Sequence, residues 1–198
     1  MRRSFLALAA SAALARPASA EPLTLPQISR YLESLTTAQA RFRQVSEDGY
    51  VATGTLFLHR PGRARFEYDA PEETLVMAGG GQVAIFDSKS NQPPEQYPIR
   101  RTPLSLILDR RINLVGDDMV VGHYTDGELT SIVAQDPENP EYGSIEIFFA
   151  DDPVRMVKWI TTDGGGFRTT VELGEFQTGM RLSSFLFSIK HEVDRRAR

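Results

Sequence analysis

Cysteine is absent from this 198-residue chain, so no disulfide staples it and no thiolate can hold a metal or attack a substrate. Histidine is scarce as well. His59, His123 and His191 lie far apart, and none has a carboxylate at a metal-ligand spacing. There is no Gly-x-Ser-x-Gly elbow and no phosphate-cradling loop. Gly79-Gly80-Gly81 sits between two strand-like runs with no helix after it, which disqualifies it as a dinucleotide fingerprint. The carboxylate pairs Asp117-Asp118 and Asp151-Asp152 adjoin Gly116 and Pro153 and read as solvated turn residues rather than an acid–base couple. No active site assembles from these parts, so neither an enzyme nor a bound cofactor or metal is expected.

A long apolar run is missing too. The longest, Phe5 to Leu14, is about half the roughly twenty residues that a helix needs to span a bilayer. It follows the basic Arg2-Arg3 and precedes the small residues Ala18-Ser19-Ala20, the pattern of a cleavable signal peptide over residues 1–20. Arg2-Arg3-Ser4-Phe5-Leu6 partly matches a twin-arginine export signal, with Met1 where Ser or Thr is usual, so export by either the Sec or the twin-arginine route is open. An acylated protein would need a cysteine directly after the cleavage site. Glu21 stands there, and the mature chain is expected to be exported, soluble and free of a lipid anchor. A positive excess is also lacking. The chain has 22 Lys and Arg against 26 Asp and Glu, and removing Arg2, Arg3 and Arg16 takes the formal charge from −4 to −7. That balance argues against nucleic acid and against broad adhesion to anionic membranes.

Residues 21–198 are enough for one domain with its own core, and no linker or repeat divides them. Thr24-Leu25-Pro26-Gln27 reads as a helix start with a capping box, and Leu25, Ile28, Leu32 and Leu35 recur at spacings of three and four. From Thr36 the period changes to two. Candidate strands are 38–47, 52–60, 65–69, 74–78, 82–87, 95–99, 119–125, 128–135, 144–149, 155–162, 167–176 and 186–190, separated by turn signals such as Pro61-Gly62, Asp126-Gly127 and Asp163-Gly164-Gly165-Gly166. Such short turns join antiparallel neighbours. The one helical interruption is Thr102 to Asp109, with Thr102 as cap, Pro103 at the first helical position, and Leu104, Ile107 and Leu108 on one face.

Several strands are apolar at both parities, as in Leu56-Phe57-Leu58 and Ile147-Phe148-Phe149, and so must be covered on both faces or curl around an interior. Two short helices are too little to cover both faces of a flat sheet. The expected fold is therefore mainly β: a strongly curved antiparallel sheet of about eleven strands, a barrel or partial barrel, whose concave side is plugged by the two helices. An apolar cavity and an ordinary packed core account for this patterning equally well.

The segment Phe57-Leu58-His59-Arg60-Pro61-Gly62-Arg63-Ala64-Arg65-Phe66-Glu67-Tyr68-Asp69-Ala70-Pro71 resembles the Arg-Pro-Gly hairpin of the outer-membrane lipoprotein carrier family, LolA. Gln39-Ala40-Arg41-Phe42-Arg43-Gln44, the Thr102–Leu108 helix and Leu173-Gly174-Glu175-Phe176 follow in the family's order, and the resemblance covers essentially the whole mature chain. It implies a half-barrel with a helical lid over an apolar cavity. The implied role is a monomeric periplasmic chaperone that takes acylated lipoproteins from an inner-membrane ABC transporter toward the outer membrane and a receptor there. It further implies that Arg60 locks the lid by hydrogen bonds to its backbone. Without the resemblance, Arg60 reads as a strand-end surface arginine. The cavity-facing candidates are Leu56, Leu58, Phe66, Tyr68, Met77, Ile85, Phe148 and Trp159, with Leu104, Ile107 and Leu108 from the lid; ordinary core packing is the alternative for each.

Two departures stand out. Ala64 replaces a large apolar residue common in the hairpin, and the C-terminal Phe187–Val193 lacks the family's Pro-Gly, which leaves the last strand in doubt. A module that senses lipid or mislocalised lipoprotein and signals through a protein partner is the alternative function. An enzyme using the cavity for a hydrophobic substrate is a third, disfavoured by the missing nucleophile–base pair.

Overall fold

The period-two run after Thr36 folds into antiparallel strands because its connections are too short for a parallel crossover. The computed structural model describes residues 21–90, 92–102 and 104–197. The expected signal peptide, and Pro103 as the expected first residue of the second helix, lie outside the described residues. Helix α1 (Leu25–Ser34) leads into β1 (Thr37–Ser46), β2 (Val51–His59), β3 (Ala64–Tyr68), β4 (Leu75–Gly79), β5 (Gln82–Phe86) and β6 (Glu95–Pro98). Helix α2 (Leu104–Leu108) interrupts the series. Strands β7 (Val120–Thr125), β8 (Thr130–Gln135), β9 (Gly143–Asp151), β10 (Val154–Asp163), β11 (Arg168–Leu173) and β12 (Gln177–Thr178) follow, and helix α3 (Ile189–Arg196) closes the chain.

All twelve strands belong to one antiparallel sheet in the order β6-β5-β4-β3-β2-β1-β11-β10-β9-β8-β7, with β12 beside β1. Two meanders meet where β1 pairs with β11, Phe42 opposite Leu173 and Ser46 opposite Thr169. The outermost strands, β6 and β7, do not pair with each other, so the sheet is open.

Alternation decides what the inner face carries. On β1, Arg41 and Arg43 are exposed while Ala40 and Phe42 are buried, and the register continues that face through Leu56, Phe66 and Val76. Helix α1 starts as its sequence requires. Its Thr24 side chain accepts from the Gln27 amide, and the Gln27 side chain accepts from the Thr24 amide at 2.8 Å. Buried Ile28 and Leu32 join the inner core with Leu106, Ile107 and Leu108 of α2. Polar ties set the helix position. Ser29 Oγ accepts from the Leu114 amide at 3.2 Å, and Glu33 accepts from the Ile112 amide at 3.1 Å. Where β10 slips register between Met156 and Lys158, the Tyr31 hydroxyl accepts the Met156 amide at 3.0 Å, so a group freed by the bulge is satisfied from the helix.

The expected last strand, 186–190, is helical instead. Phe185, Phe187 and Ile189 alternate as a strand would, but Ser188 caps α3 by accepting from the His191 amide at 3.2 Å, and Ile189 and Val193 fall one turn apart. Those two residues pack on Leu75, Met77, Ala84 and Phe86, on the outer face of β4 and β5. A third helix thus covers part of the side that two inner helices leave bare. The preceding turn sits against Gly79, where a Cβ would lie 2.3 Å from the Phe187 carbonyl oxygen.

Candidate functional site

The inner face does not close completely on its helices. A cavity of about 210 Å³ remains between the sheet and α2. Its floor is aromatic and aliphatic: Phe42 from β1, Leu56 and Leu58 from β2, Phe66 from β3, Trp159 from β10 and Val171 from β11. The rings meet edge to face, Phe42 with Phe66 at 5.9 Å, Phe42 with Tyr68 at 5.0 Å and Phe66 with Trp159 at 6.0 Å, the arrangement their quadrupoles favour. Gly54 makes room for this stack. A Cβ there would lie 2.4 Å from the Phe42 ring and 2.3 Å from the Glu67 carbonyl oxygen. Leu104 and Ile107 form the roof.

The hairpin between β2 and β3 fastens that roof. Arg60 donates from Nη1 to the Leu32 carbonyl in the last turn of α1 at 2.7 Å, and from Nη2 to the Asp109 carbonyl just past α2. The Gly62 amide donates to the Leu108 carbonyl at 2.8 Å. One cation therefore sits at the C-terminal ends of both inner helices, where carbonyls have acceptor capacity to spare and the dipoles favour positive charge. Burial pushes the Arg60 pKa down, opposed by the charges of Glu33 and Asp109. Its buried Nε has no partner among the described residues.

Seven of the expected cavity residues line this space: Leu56, Leu58, Phe66, Tyr68, Leu104, Ile107 and Trp159. Met77 and Phe148 do not, and the register gives the reason. Met77 pairs with Ala84 on the outer face under α3, and Phe148 lies on the outer face with the Lys158 ammonium 4.4 Å above its ring. Leu108 is buried in the inner core away from the cavity, and Ile85, on the inner face opposite Val76, falls outside the lining as well. Sequence reasoning missed Phe42, Gln44, Val76, Thr102, Ile145, Met156, Thr161, Thr169 and Val171. For Phe42 and Gln44 the signal was present, since the flanking Arg41 and Arg43 must face solvent.

Polar chemistry is sparse elsewhere. His59 meets Phe187 edge to face at 5.6 Å and is held below its usual pKa by burial and then by Arg63; His123 Nε2 bonds the Leu23 carbonyl at 2.8 Å; His191 lies against Phe185. No three of His, Asp or Glu converge as metal ligands among the described residues, and no helix among them is long and apolar enough to cross a membrane.

The family model for the outer membrane lipoprotein carrier protein LolA matches residues 33–190. The chain belongs to the LolA family. Its relatives agree: it is 27% identical to the outer-membrane lipoprotein carrier protein of Azotobacter vinelandii, over 93% of this chain and 92% of that one. It is also 27% identical to the protein of that name from Chromohalobacter salexigens, over 98% and 97%. A solved Vibrio parahaemolyticus domain named for outer membrane lipoprotein sorting shares the fold, with a TM-score of 0.50 at 9% identity over 84% of this chain and 95% of that one. LolA is a carrier family rather than an enzyme family, in keeping with a site built from apolar side chains.

Proposed function

We propose that residues 21–198 form a single carrier domain, exported to the periplasm by the segment 1–20, that shields the acyl chains of lipoproteins between the inner and outer membranes. The observation that carries this reading is the apolar cavity under a roof tied down by Arg60 and the Gly62 amide of one hairpin. Sequestering acyl chains contributes about 0.8 kcal/mol per buried CH₂, so a permanently open apolar trough would hold several chains too firmly to release them. A roof with two states moderates that affinity, because closing it returns free energy when cargo leaves. The closed cavity is also below the roughly 300–1,000 Å³ of ordinary ligand sites, so cargo enters only as α2 lifts. In this reading Arg60 is the lid lock, an inner-membrane ABC transporter supplies the energy to load the carrier, and an outer-membrane receptor accepts the cargo.

The test is to produce the full chain with a tagged outer-membrane lipoprotein and fractionate the periplasm. A soluble complex of carrier and acylated lipoprotein is expected. A lipoprotein found only in membranes, whether or not the carrier is present, would overturn the proposal.

A further inference from the structure

Apart from Thr102 before α2, whose hydroxyl donates to the Ile99 carbonyl at 2.8 Å, the cavity is apolar near the lid and polar at its other end, and the sheet register lines that polarity up. Going along the inner face of β1 away from α2, Ala38, Ala40 and Phe42 give way to Gln44 and Ser46. Across the neighbouring strands, Thr169 faces both Ser46 and Thr161, and Tyr68 of β3 donates its hydroxyl to Gln44 Oε1 at 2.6 Å. Gln44, Tyr68, Thr161 and Thr169 all line the cavity, and all are half-buried, whereas Leu56 and Leu58 deeper in are 1% and 2% exposed. The polar row is thus the side of the cavity nearer water, below the β1–β2 and β10–β11 hairpins.

Its hydrogen-bonding capacity is unspent. Gln44 uses its carbonyl oxygen on Tyr68, which leaves the amide NH₂ free, and Thr169 Oγ1 bonds no other described residue. The Thr161 hydroxyl reaches only the Thr169 carbonyl, at a long 3.4 Å. Gln44 Nε2 and Thr169 Oγ1 thus have no acceptor among the described residues and Thr161 has only a distant one, which suits a ligand group that only accepts. From Ala38 beside the lid to Gln44 is about 20 Å at roughly 3.4 Å per strand residue, near the length of one extended long acyl chain.

We propose that Gln44, Thr161 and Thr169, with Tyr68 orienting Gln44, form a polar rung that hydrogen-bonds the acyl-ester carbonyls of the cargo. The chains then lie with their heads at the hairpin end and their tails under α2. This rests on the carrier reading and adds an orientation to it. The rung limits how deep a head can sink, and the attached polypeptide leaves between the hairpin tips rather than past Arg60. A plain hydrocarbon gains nothing from the rung.

The test uses the full mature chain and two probes: N-phenylnaphthylamine, which is apolar and has no carbonyl, and a dipalmitoyl-S-glyceryl-cysteine lipopeptide that displaces it. The variant is Gln44→Met with Thr169→Val, which removes donors while keeping bulk. The lipopeptide is expected to bind about tenfold more weakly to the variant, as one to two lost hydrogen bonds imply, while the fluorescent probe binds as before and reports an intact cavity. Dipalmitoylphosphatidylglycerol is a third probe. A loss confined to the lipopeptide assigns the rung to lipoprotein heads, and a loss shared by both assigns it to ester carbonyls of either source. Equal lipopeptide affinity in variant and parent would overturn the rung. Failure of the parent protein to bind either probe would instead overturn the carrier reading beneath it.

Discussion

Cargo should accumulate on an Arg60→Leu carrier and fail to leave it. Arg60 spends its charge on the Leu32 and Asp109 carbonyls, which tie α1 and the end of α2 to the β2–β3 hairpin. Each charge-assisted bond is worth about 1.5–3 kcal/mol, and the substitution also relieves the cost of burying the guanidinium. A net loss of about 3 kcal/mol moves the closed-to-open ratio by roughly two orders of magnitude toward open. Opening lets cargo in, but reclosure is what offsets the loss of acyl burial when cargo departs. With that contribution gone, the bound fraction rises and transfer to outer-membrane vesicles slows by at least about tenfold. Following a labelled lipoprotein from purified carrier to vesicles measures this. Transfer at the parent rate would remove Arg60 from the mechanism.

Neutralising Glu192 should lower the unfolding temperature at pH 7 by about 6–12 °C and flatten its dependence on acid. Glu192 is 4% exposed, and it receives Arg195 and, at 2.8 Å, Arg196, with Arg65 3.8 Å away. Burial alone would push its carboxyl up. The hydrogen bonds from Arg195 and Arg196 and the charges of Arg195 and Arg65 outweigh burial and hold it near 2. Because the folded value lies below the unfolded one, the stabilisation is fully present above about pH 5 and is lost as pH falls toward 2. The difference between 4.5 and about 2 corresponds to about 3 kcal/mol, and each kcal/mol moves the midpoint by about 2–4 °C in a chain of this size. Glu192→Gln should therefore melt earlier than the parent at pH 7 and converge with it near pH 2. Parallel melting curves across that range would show that the cluster does not hold α3. The consequence reaches the cavity, since Arg65, pinned by Glu67 and the Leu186 carbonyl on the outer face, is the neighbour of Phe66 on the inner one.

Strand identity was legible along most of the chain because turn dipeptides punctuate a clear period of two. Which face each strand shows the cavity was legible only where polar residues break the tie. Leu75-Val76-Met77-Ala78 and Ile147-Phe148-Phe149 are apolar at every position, so Met77 and Phe148 could be placed only by pairing, which the sequence does not state. The C-terminal segment misled for a related reason: Phe185, Phe187 and Ile189 alternate, while the helix depends on the single cap at Ser188 and on a neighbour, the outer face of β4 and β5, that is distant in sequence. The polar rung was invisible because its members come from four strands and meet only through register.

The most direct measurement is a native mass spectrum of the protein purified from the periplasm without detergent. The carrier account predicts, beside the free mature chain beginning at Glu21, a population heavier by one acylated lipoprotein, which Arg60→Leu enriches. A spectrum of free chain alone, in both parent and variant, or of a fixed stoichiometric complex with a non-acylated protein, would contradict it.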